Sequence, residues 1–277
     1  MKTIYIDKEK IGKWRAKRIA KKLYKISKKE DIVIAISKNL MEHEILNNAL
    51  DEYGLKILNG RWLLKFLISD ILEYISNNDC SGATSSAPYF EEIAQTYVGA
   101  SNAHPIEDYK VAILMDKADE IIMQQIINIA KSVKSLKIVT ISKNSYLHIE
   151  NELFEKEGIA IQITNNKEKS ISDADIILNF DFNEDRLSEY KINHDATLIN
   201  LGQKLKPNRA IFKGTVLNDY EISFNEENYN SNIKKYNFHK NILYESYIYR
   251  RDTFENIRKQ LKQDNVKIIK IAWQSQK

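Results

Sequence analysis

The chain has 277 residues, of which 43% are hydrophobic and 29% charged, and its formal net charge is +4. This length suits two domains, and the composition excludes a disordered or fibrous protein. No stretch approaches the ~20 apolar residues of a membrane span, and the first residues lack the apolar segment of a secretion signal. The single cysteine, Cys80, excludes an intramolecular disulfide, so we expect a protein of the reducing cytoplasm.

Strands and helices alternate in the first quarter of the chain. Three strands and three helices are predicted in turn at 3–6, 8–29, 31–37, 39–52, 55–58 and 60–76. In the first helix, apolar residues predict one buried side, formed by Ile11, Trp14, Ile19, Leu23 and Ile26. Because strands that alternate with helices usually pair in parallel, this segment predicts a sheet with helices on its faces.

The helix predicted over 8–29 carries most of the charge asymmetry of the chain. It holds eleven Lys or Arg residues and one acid, Glu9, for a local net charge of +10. Five lysines are predicted on the side opposite the apolar residues: Lys10, Lys13, Lys17, Lys21 and Lys28. Such a stripe could bind a polyanion, either a nucleic-acid backbone or an anionic membrane surface. The alternative is a solvated face, and no zinc-finger or RNA-binding signature indicates specific recognition.

The alternation stops in the segment 77–107, which is small and polar and is typical of a linker or exposed loop. It restarts with strands predicted at 111–115, 136–141, 158–163, 175–180 and 196–200, and helices at 118–133 and 145–156. Beyond Gly202 the pattern is less regular, with strands at 216–224 and 266–271 and a helix at 241–263. We therefore predict an α/β protein of two Rossmann-like domains with mainly parallel sheets. The first spans 1–76 and the second 108–277, where the last helix and strand form an extension that packs on either domain.

Two segments of the second half resemble a known family. Ser172–Asn179 (SDADIILN) and Asp195–Gly202 (DATLINLG) are similar to the fourth and fifth strands of Rossmann domains in the shikimate dehydrogenase and glutamyl-tRNA reductase group. The resemblance covers about residues 108–202 and implies a Rossmann fold. It also implies that Ser142, Lys143 and Asn144 lie where that group contacts the 2′-phosphate of NADP.

The turn after the first strand of this half departs from the dinucleotide-binding pattern. That pattern places G-x-G-x-x-G there, because glycine lets the backbone approach the pyrophosphate at a helix N-terminus. Residues 115–120 contain no glycine and three acids, Asp116, Asp119 and Glu120. These acids repel phosphate and favour the start of a helix. We therefore expect no cofactor, and ordinary NAD(P) binding in particular is not expected.

A second turn at the end of a predicted strand could hold an anion. Asn59, Gly60 and Arg61 follow the strand at 55–58 and begin a helix, and ligands of open α/β sheets bind beyond the carboxyl ends of strands. Backbone N–H groups beside Arg61 could therefore bind a carboxylate or a phosphate. The alternative is a tight turn with Arg61 in solvent or in an ion pair and Trp62 in the core.

Catalytic and metal-binding patterns are absent from the sequence. The five histidines include no pair spaced three or four apart, so no metal site is predicted. Cys80 lies in a polar segment without a partner motif, and there is no phosphate-binding P-loop or nucleophile elbow. Paired acids such as Asp181 and Asp185 are interpreted as caps and turn residues. No catalytic residue is assigned, and whether the protein is an enzyme stays open.

These features favour a non-catalytic or cryptic Rossmann-like protein that binds a small anionic ligand or a protein partner in a cleft between its domains. A divergent NAD(P)-dependent oxidoreductase that has lost the glycine motif is the first alternative. A nucleic-acid-associated protein that uses the basic helix non-specifically is the second. Function depends on a site rather than on a fold, and the sequence contains no complete site that ranks the three.

Limited proteolysis tests the predicted linker. Cleavage concentrates in exposed polar segments between domains, so the first cuts are expected between residues 77 and 108. Tyr89, Phe90 and Tyr97 are chymotrypsin sites in that segment. Mass spectrometry of the early fragments locates the cuts, and first cuts inside the strand predicted at 136–141 would contradict this organisation.

Overall fold

The computed structural model describes residues 11–30, 33–41, 43–77, 105–206, 212–226, 238–249 and 253–273. Contacts divide the chain into two compact units. Unit 1 comprises 1–64 and 221–269, and unit 2 comprises 65–220 and 270–277. The segment 221–269 therefore belongs with the amino-terminal residues, and the first division falls after Leu64. Most of the linker predicted at 77–107 lies outside the described residues, and that linker stays a prediction. Every helix of the described segments is too short or too polar to cross a lipid bilayer.

The described segments contain ten α-helices and seven strands, numbered in chain order. The helices are α1 (Lys13–Glu30), α2 (Lys38–Met41), α3 (Glu44–Glu52), α4 (Arg61–Phe66), α5 (Ile68–Asn77), α6 (Glu120–Ala130), α7 (Leu147–Glu157), α8 (Glu184–Ser188), α9 (Lys240–Ile248) and α10 (Phe254–Gln263). The strands are β1 (Lys110–Leu114), β2 (Ser135–Val139), β3 (Gln162–Thr164), β4 (Ile176–Asn179), β5 (Thr197–Asn200), β6 (Thr215–Ser223) and β7 (Lys267–Trp273).

The core of unit 1 includes the packing of α1 against α3. Ala16 and Ala20 are fully buried on α1, and their small side chains let the two helices approach closely. Leu46, Ala49 and Leu50 complete this core from α3. The helix predicted over 8–29 is therefore confirmed from Lys13 onwards, and its small residues define the buried side.

Trp14 does not lie on that buried side, contrary to the sequence-based prediction. It leaves 73% of its surface exposed. At about 100° per residue, Trp14 lies opposite Leu23, which packs against the core, and points away from Ala16 and Ala20. The prediction grouped Trp14 with the apolar residues by type, whereas its angle on the helix places it among the lysines.

The sheet predicted for the amino-terminal residues is reduced to one bridge among the described residues. Ile34 and Ile57 form this parallel bridge, with hydrogen bonds from Ile34 N–H to Lys56 O at 3.0 Å and from Leu58 N–H to Ile34 O at 2.8 Å. The strand predicted at 3–6 lies outside the described residues. The single helix predicted over 60–76 is interrupted at Leu67, which separates α4 from α5.

The seven-stranded sheet has a Rossmann-type order. The strands follow one another as β3-β2-β1-β4-β5-β6-β7, and all pairs from β3 to β6 are parallel. The predicted α/β class with a mainly parallel sheet is therefore confirmed. Four of the five residues of β1 and all four of β4 are buried, as expected for central strands covered on both faces.

The ends of α6 and α7 follow from local sequence. Asp119 caps α6, because its carboxylate accepts the N–H of Ile122 at 2.9 Å. Lys65 forms an ion pair with the same carboxylate. Gly158 ends α7 with a φ of 68°, the left-handed conformation that glycine adopts without strain. At least one acid of the turn after β1 thus begins a helix, as predicted.

A ladder of three buried asparagines crosses β4, β5 and β6. Asn179 donates to Asn200 at 3.0 Å, and Asn200 donates to Asn218 at 2.8 Å. At its two ends, Asn179 exchanges hydrogen bonds with the backbone of Phe182, and Asn218 does so with Leu205. Each amide is at most 3% exposed, and a buried polar group without a partner costs about 1–3 kcal/mol. The ladder therefore fixes both the register of three strands and the position of two loops.

Gly202 follows β5 at a close approach to the loop after β4. An added Cβ would lie 1.8 Å from the carbonyl oxygen of Phe180, so Gly202→Ala is expected to lower the free energy of unfolding by more than about 2 kcal/mol. Gly12→Ala is the control, because an added Cβ there meets no atom within 4 Å. Its effect is expected to be below about 1 kcal/mol, the cost of placing alanine before the first residue of α1. Urea denaturation measures the free energy of unfolding of both variants. Equal values for the two would contradict the close approach at Gly202.

Candidate functional site

Three loops lie together at the carboxyl edge of the sheet, after β1, β2 and β4. The chain runs outwards from β1 to β2 and β3, then returns to place β4 on the other side of β1. The strand order therefore reverses between β1 and β4, and ligands of open α/β sheets bind at this switch point. Four side chains connect the three loops: Asp116, Thr140, Asp181 and Arg186.

Asp181 occupies main-chain donors at the end of β1. Its Oδ2 accepts the N–H of Asp116 at 2.8 Å and that of Lys117 at 3.4 Å. Partial desolvation raises the pKa of the Asp181 carboxyl above its usual value, and the negative charge of Asp116 adds to this, although the two N–H bonds act in the opposite direction. The Asp181 side chain is nevertheless exposed to solvent. The turn after β1 thus already holds an anionic oxygen atom, supplied by the protein itself.

Asp116 is neutralised by Arg186. The guanidinium makes two parallel hydrogen bonds to the carboxylate, one of them from Nη2 to Oδ1 at 2.9 Å. The carboxylate also accepts the N–H of Ile141 at 3.1 Å. The hydrogen bond from Arg186 is the main cause that holds the pKa of Asp116 below its usual value. The negative charge that argued against a phosphate here is therefore compensated by a residue that sequence analysis missed.

Tyr146 brings a buried hydroxyl group to the same region. Its side chain is fully buried, and the hydroxyl has no hydrogen-bond partner among the described residues. Desolvation raises the pKa of Tyr146 to about 12, and the negative charges of Asp181 and Asp116 contribute. The hydroxyl therefore stays protonated, as a donor within electrostatic reach of both carboxylates.

The residues that the family resemblance placed at a 2′-phosphate lie in the loop after β2. Lys143 begins a short 3₁₀ turn, and the N–H of Ser142 donates to Oγ1 of Thr140 at 3.0 Å. Lys143 and Asn144 are exposed, and Ile141 leaves 68% of its surface in solvent. The loop thus presents a cation, polar side chains and an apolar side chain beside the switch point.

The predicted anion site at Asn59, Gly60 and Arg61 holds a carboxylate of the protein. Glu245, on α9 of the same unit, accepts the N–H of Gly60 at 2.5 Å, that of Trp62 at 2.9 Å and that of Leu63 at 3.3 Å. Glu245 is only 1% exposed. The turn therefore has the predicted donors, but an external anion would have to displace Glu245 from them.

The lysines predicted to bind polyanions lie on the exposed side of α1. Lys13, Lys17, Lys21 and Lys28 are exposed there, and Lys10 lies outside the described residues. Lys17 also forms an ion pair with Glu52 on α3 at 3.1 Å. Polyanion binding itself stays a prediction.

Metal binding is not indicated by the part of the chain that the structure describes. No group of three or more His, Cys, Asp or Glu side chains is arranged there to hold a metal ion. The prediction of no metal site stays a prediction for the whole chain.

Comparison with known proteins finds similarity in solved structures only. No protein-family model matches the chain, and no curated protein is significantly similar to it in sequence. Phosphoglycerate oxidoreductase from Vibrio cholerae is 12% identical, with 78% of this chain and 72% of that chain covered and a TM-score of 0.40. The pyruvate reductase of Chlamydomonas reinhardtii is 12% identical, with 59% and 47% covered and a TM-score of 0.35. D-lactate dehydrogenase with NAD⁺ from Lactobacillus jensenii is 12% identical, with 70% and 56% covered and a TM-score of 0.32.

The strand order supports a Rossmann-like fold, and the similar structures bear on two expectations. The similar structures do not support the resemblance to the shikimate dehydrogenase and glutamyl-tRNA reductase group. The expectation of no cofactor and no NAD(P) binding is contradicted by the similar structures, which are those of reductases and dehydrogenases, one of them solved with NAD⁺. The chain spans about half the length of two of these structures. Likeness at this level concerns the fold alone.

Glu245 is expected to make the stability of the protein depend on pH. Burial raises the pKa of its carboxyl above the unfolded value of 4.5, against the effect of its three N–H bonds. The folded protein therefore binds this proton more tightly than the unfolded chain, so its stability falls as the pH rises from the unfolded to the folded pKa. Glu245→Gln removes this titration, and the variant is expected to gain stability relative to the wild type as the pH rises.

Urea denaturation at several pH values between about 4 and 8 measures this difference. Glu255→Gln, at an exposed position on α10, is the matched control and is expected to follow the wild type. If the free energies of unfolding of Glu245→Gln and the wild type differed by the same amount at every pH in this range, the raised pKa of Glu245 would be contradicted.

Proposed function

We propose that the protein is a divergent NAD(P)-dependent oxidoreductase that binds the dinucleotide at the switch point between β1 and β4. The observation that supports this most directly is the pair of N–H groups at Asp116 and Lys117, which already hold an anionic oxygen. The order β3-β2-β1-β4-β5-β6 is that of dinucleotide-binding domains. In such domains the pyrophosphate contacts the turn after the first strand, at the start of a helix.

The pyrophosphate would take the place of the Asp181 carboxylate. Both groups present anionic oxygen atoms to the same N–H donors. Asp181 leaves these donors most readily when it is protonated, and its raised pKa brings the protonated state closer to neutral pH. Lys117 is exposed at the same turn and supplies a cation for the phosphates. Asp116 adds little repulsion, because Arg186 compensates its charge.

The loop after β2 favours NADP(H) over NAD(H). In dinucleotide-binding domains an acid near this position binds the 2′-hydroxyl of NAD, whereas a cation accommodates the 2′-phosphate of NADP. Residues 140–145 (TISKNS) contain no acid and one cation, Lys143. We assign the 2′-phosphate to Ser142, Lys143 and Asn144, and the exposed side chain of Ile141 offers apolar surface to the adenine.

Asp181→Asn tests the exchange between carboxylate and phosphate. The amide keeps the shape of the side chain and removes its charge, so NADPH is expected to bind the variant at least about tenfold more tightly than the wild type near pH 8. The affinity of the wild type is expected to rise as the pH falls, because a neutral Asp181 releases the donors, whereas that of the variant changes less. Isothermal titration calorimetry measures both.

Two further variants complete this experiment. Asp195→Asn makes the same change of charge at the amino edge of the sheet, just before β5. This control is expected to leave the affinity for NADPH unchanged. Lys143→Ala is expected to weaken binding of NADPH more than that of NADH. Failure of both the wild type and Asp181→Asn to bind either dinucleotide at millimolar concentration would contradict the proposal. Oxidation of bound NADPH on addition of a metabolite extract would report the redox reaction.

A further inference from the structure

Trp14 is the most exposed large apolar side chain among the described residues, at 73%. The core of unit 1 does not use it, since α1 packs through Ala16, Ala20 and Leu23. The guanidinium of Arg18, one turn along the helix, lies 4.7 Å from the centre of the indole ring. An indole has two faces, so a ring held in this way can stack a further planar group from solvent.

Trp14 also lies at the centre of a cationic face. At about 100° per residue, five exposed cations of α1 lie within about 60° of it: Lys17, Arg18, Lys21, Lys25 and Lys28. Residues 13–28 include no acid. Glu52 on α3 reaches the edge of this face, where it pairs with Lys17. The face extends for about 21 Å from Trp14 to Lys28.

We propose that this face of α1 binds single-stranded nucleic acid, with a base stacked on Trp14 and phosphates on the surrounding Lys and Arg side chains. An aromatic ring set among cations is the combination that proteins use for sequence-tolerant binding of single strands. Single strands fit better than a duplex, because the faces of paired bases are already stacked. An anionic membrane fits less well, because the apolar side of α1 that would have to insert is packed against α3. No residue of this face belongs to the dinucleotide site.

Binding of a fluorescein-labelled oligothymidylate, followed by anisotropy, tests the proposal. Trp14→Ala is expected to weaken binding about tenfold, the effect of losing one stacked base. Its melting temperature is expected to match that of the wild type, because the side chain is exposed. Retention on heparin, a polyanion without bases, is expected to stay unchanged in this variant. The contrast between the two ligands separates stacking from charge.

A charge-reversal variant and its control test the phosphate contacts. Replacing Lys21, Lys25 and Lys28 by Glu is expected to abolish binding of both ligands. The control replaces three exposed lysines outside α1 by Glu, namely Lys134, Lys169 and Lys262. It changes the net charge of the protein by the same amount. With four or five phosphate contacts, the logarithm of the wild-type affinity is expected to fall with the logarithm of salt concentration with a slope of about −3.

Three results would overturn the proposal. The first is an oligothymidylate affinity that Trp14→Ala leaves unchanged. The second is an equal loss of binding in the control for charge reversal. The third is binding of the wild type to vesicles of anionic phospholipid without binding to oligothymidylate, which would assign the face to a membrane surface.

Discussion

The register of the sheet depends on one chain of buried amides, Asn179, Asn200 and Asn218. Parallel strands covered on both faces consist almost entirely of apolar residues, so packing alone distinguishes poorly between alignments. A shift of one strand would leave at least one amide buried without its partner, and hydrogen-bond energetics disfavour that state. Through backbone bonds to Phe182 and Leu205, the same ladder holds the loops beyond the strands. The geometry of the candidate site therefore rests on residues that lie behind it in the sheet.

Sequence reasoning located the elements whose structure is decided locally. The strands β1, β2, β4 and β5 match the predicted ranges to within two residues at either end, because each is a short apolar run between polar turns. The runs at 31–37 and 55–58 have the same character, yet their described residues form one bridge, since pairing depends on neighbours that a local pattern does not contain. Trp14 shows a related failure, because its apolar character does not reveal that it lies on the same side of α1 as the exposed lysines.

The candidate site was predicted less well than the fold, because its charges are compensated over long distances in the chain. The local sequence places Asp116 beside two further acids, Asp119 and Glu120, whereas its partner Arg186 lies 70 positions away. The donors of Gly60 were recognised from the turn, but Glu245 is 185 positions further on. Local sequence thus identifies turns rich in N–H donors. Which carboxylate occupies each of them is decided by tertiary structure.

The distance between Gly60 and Glu245 has a consequence for how the protein is made. Residues 65–220, the main segment of unit 2, separate the two chain segments of unit 1. At about 5–20 residues per second, roughly 10–40 s separate the synthesis of these two residues on the ribosome. Residues 65–220 are synthesised in that interval, before the carboxylate that binds the start of α4 has been made. The unit that begins the chain therefore receives the carboxylate at the start of α4 only after most of unit 2 has been synthesised, so its two chain segments join late.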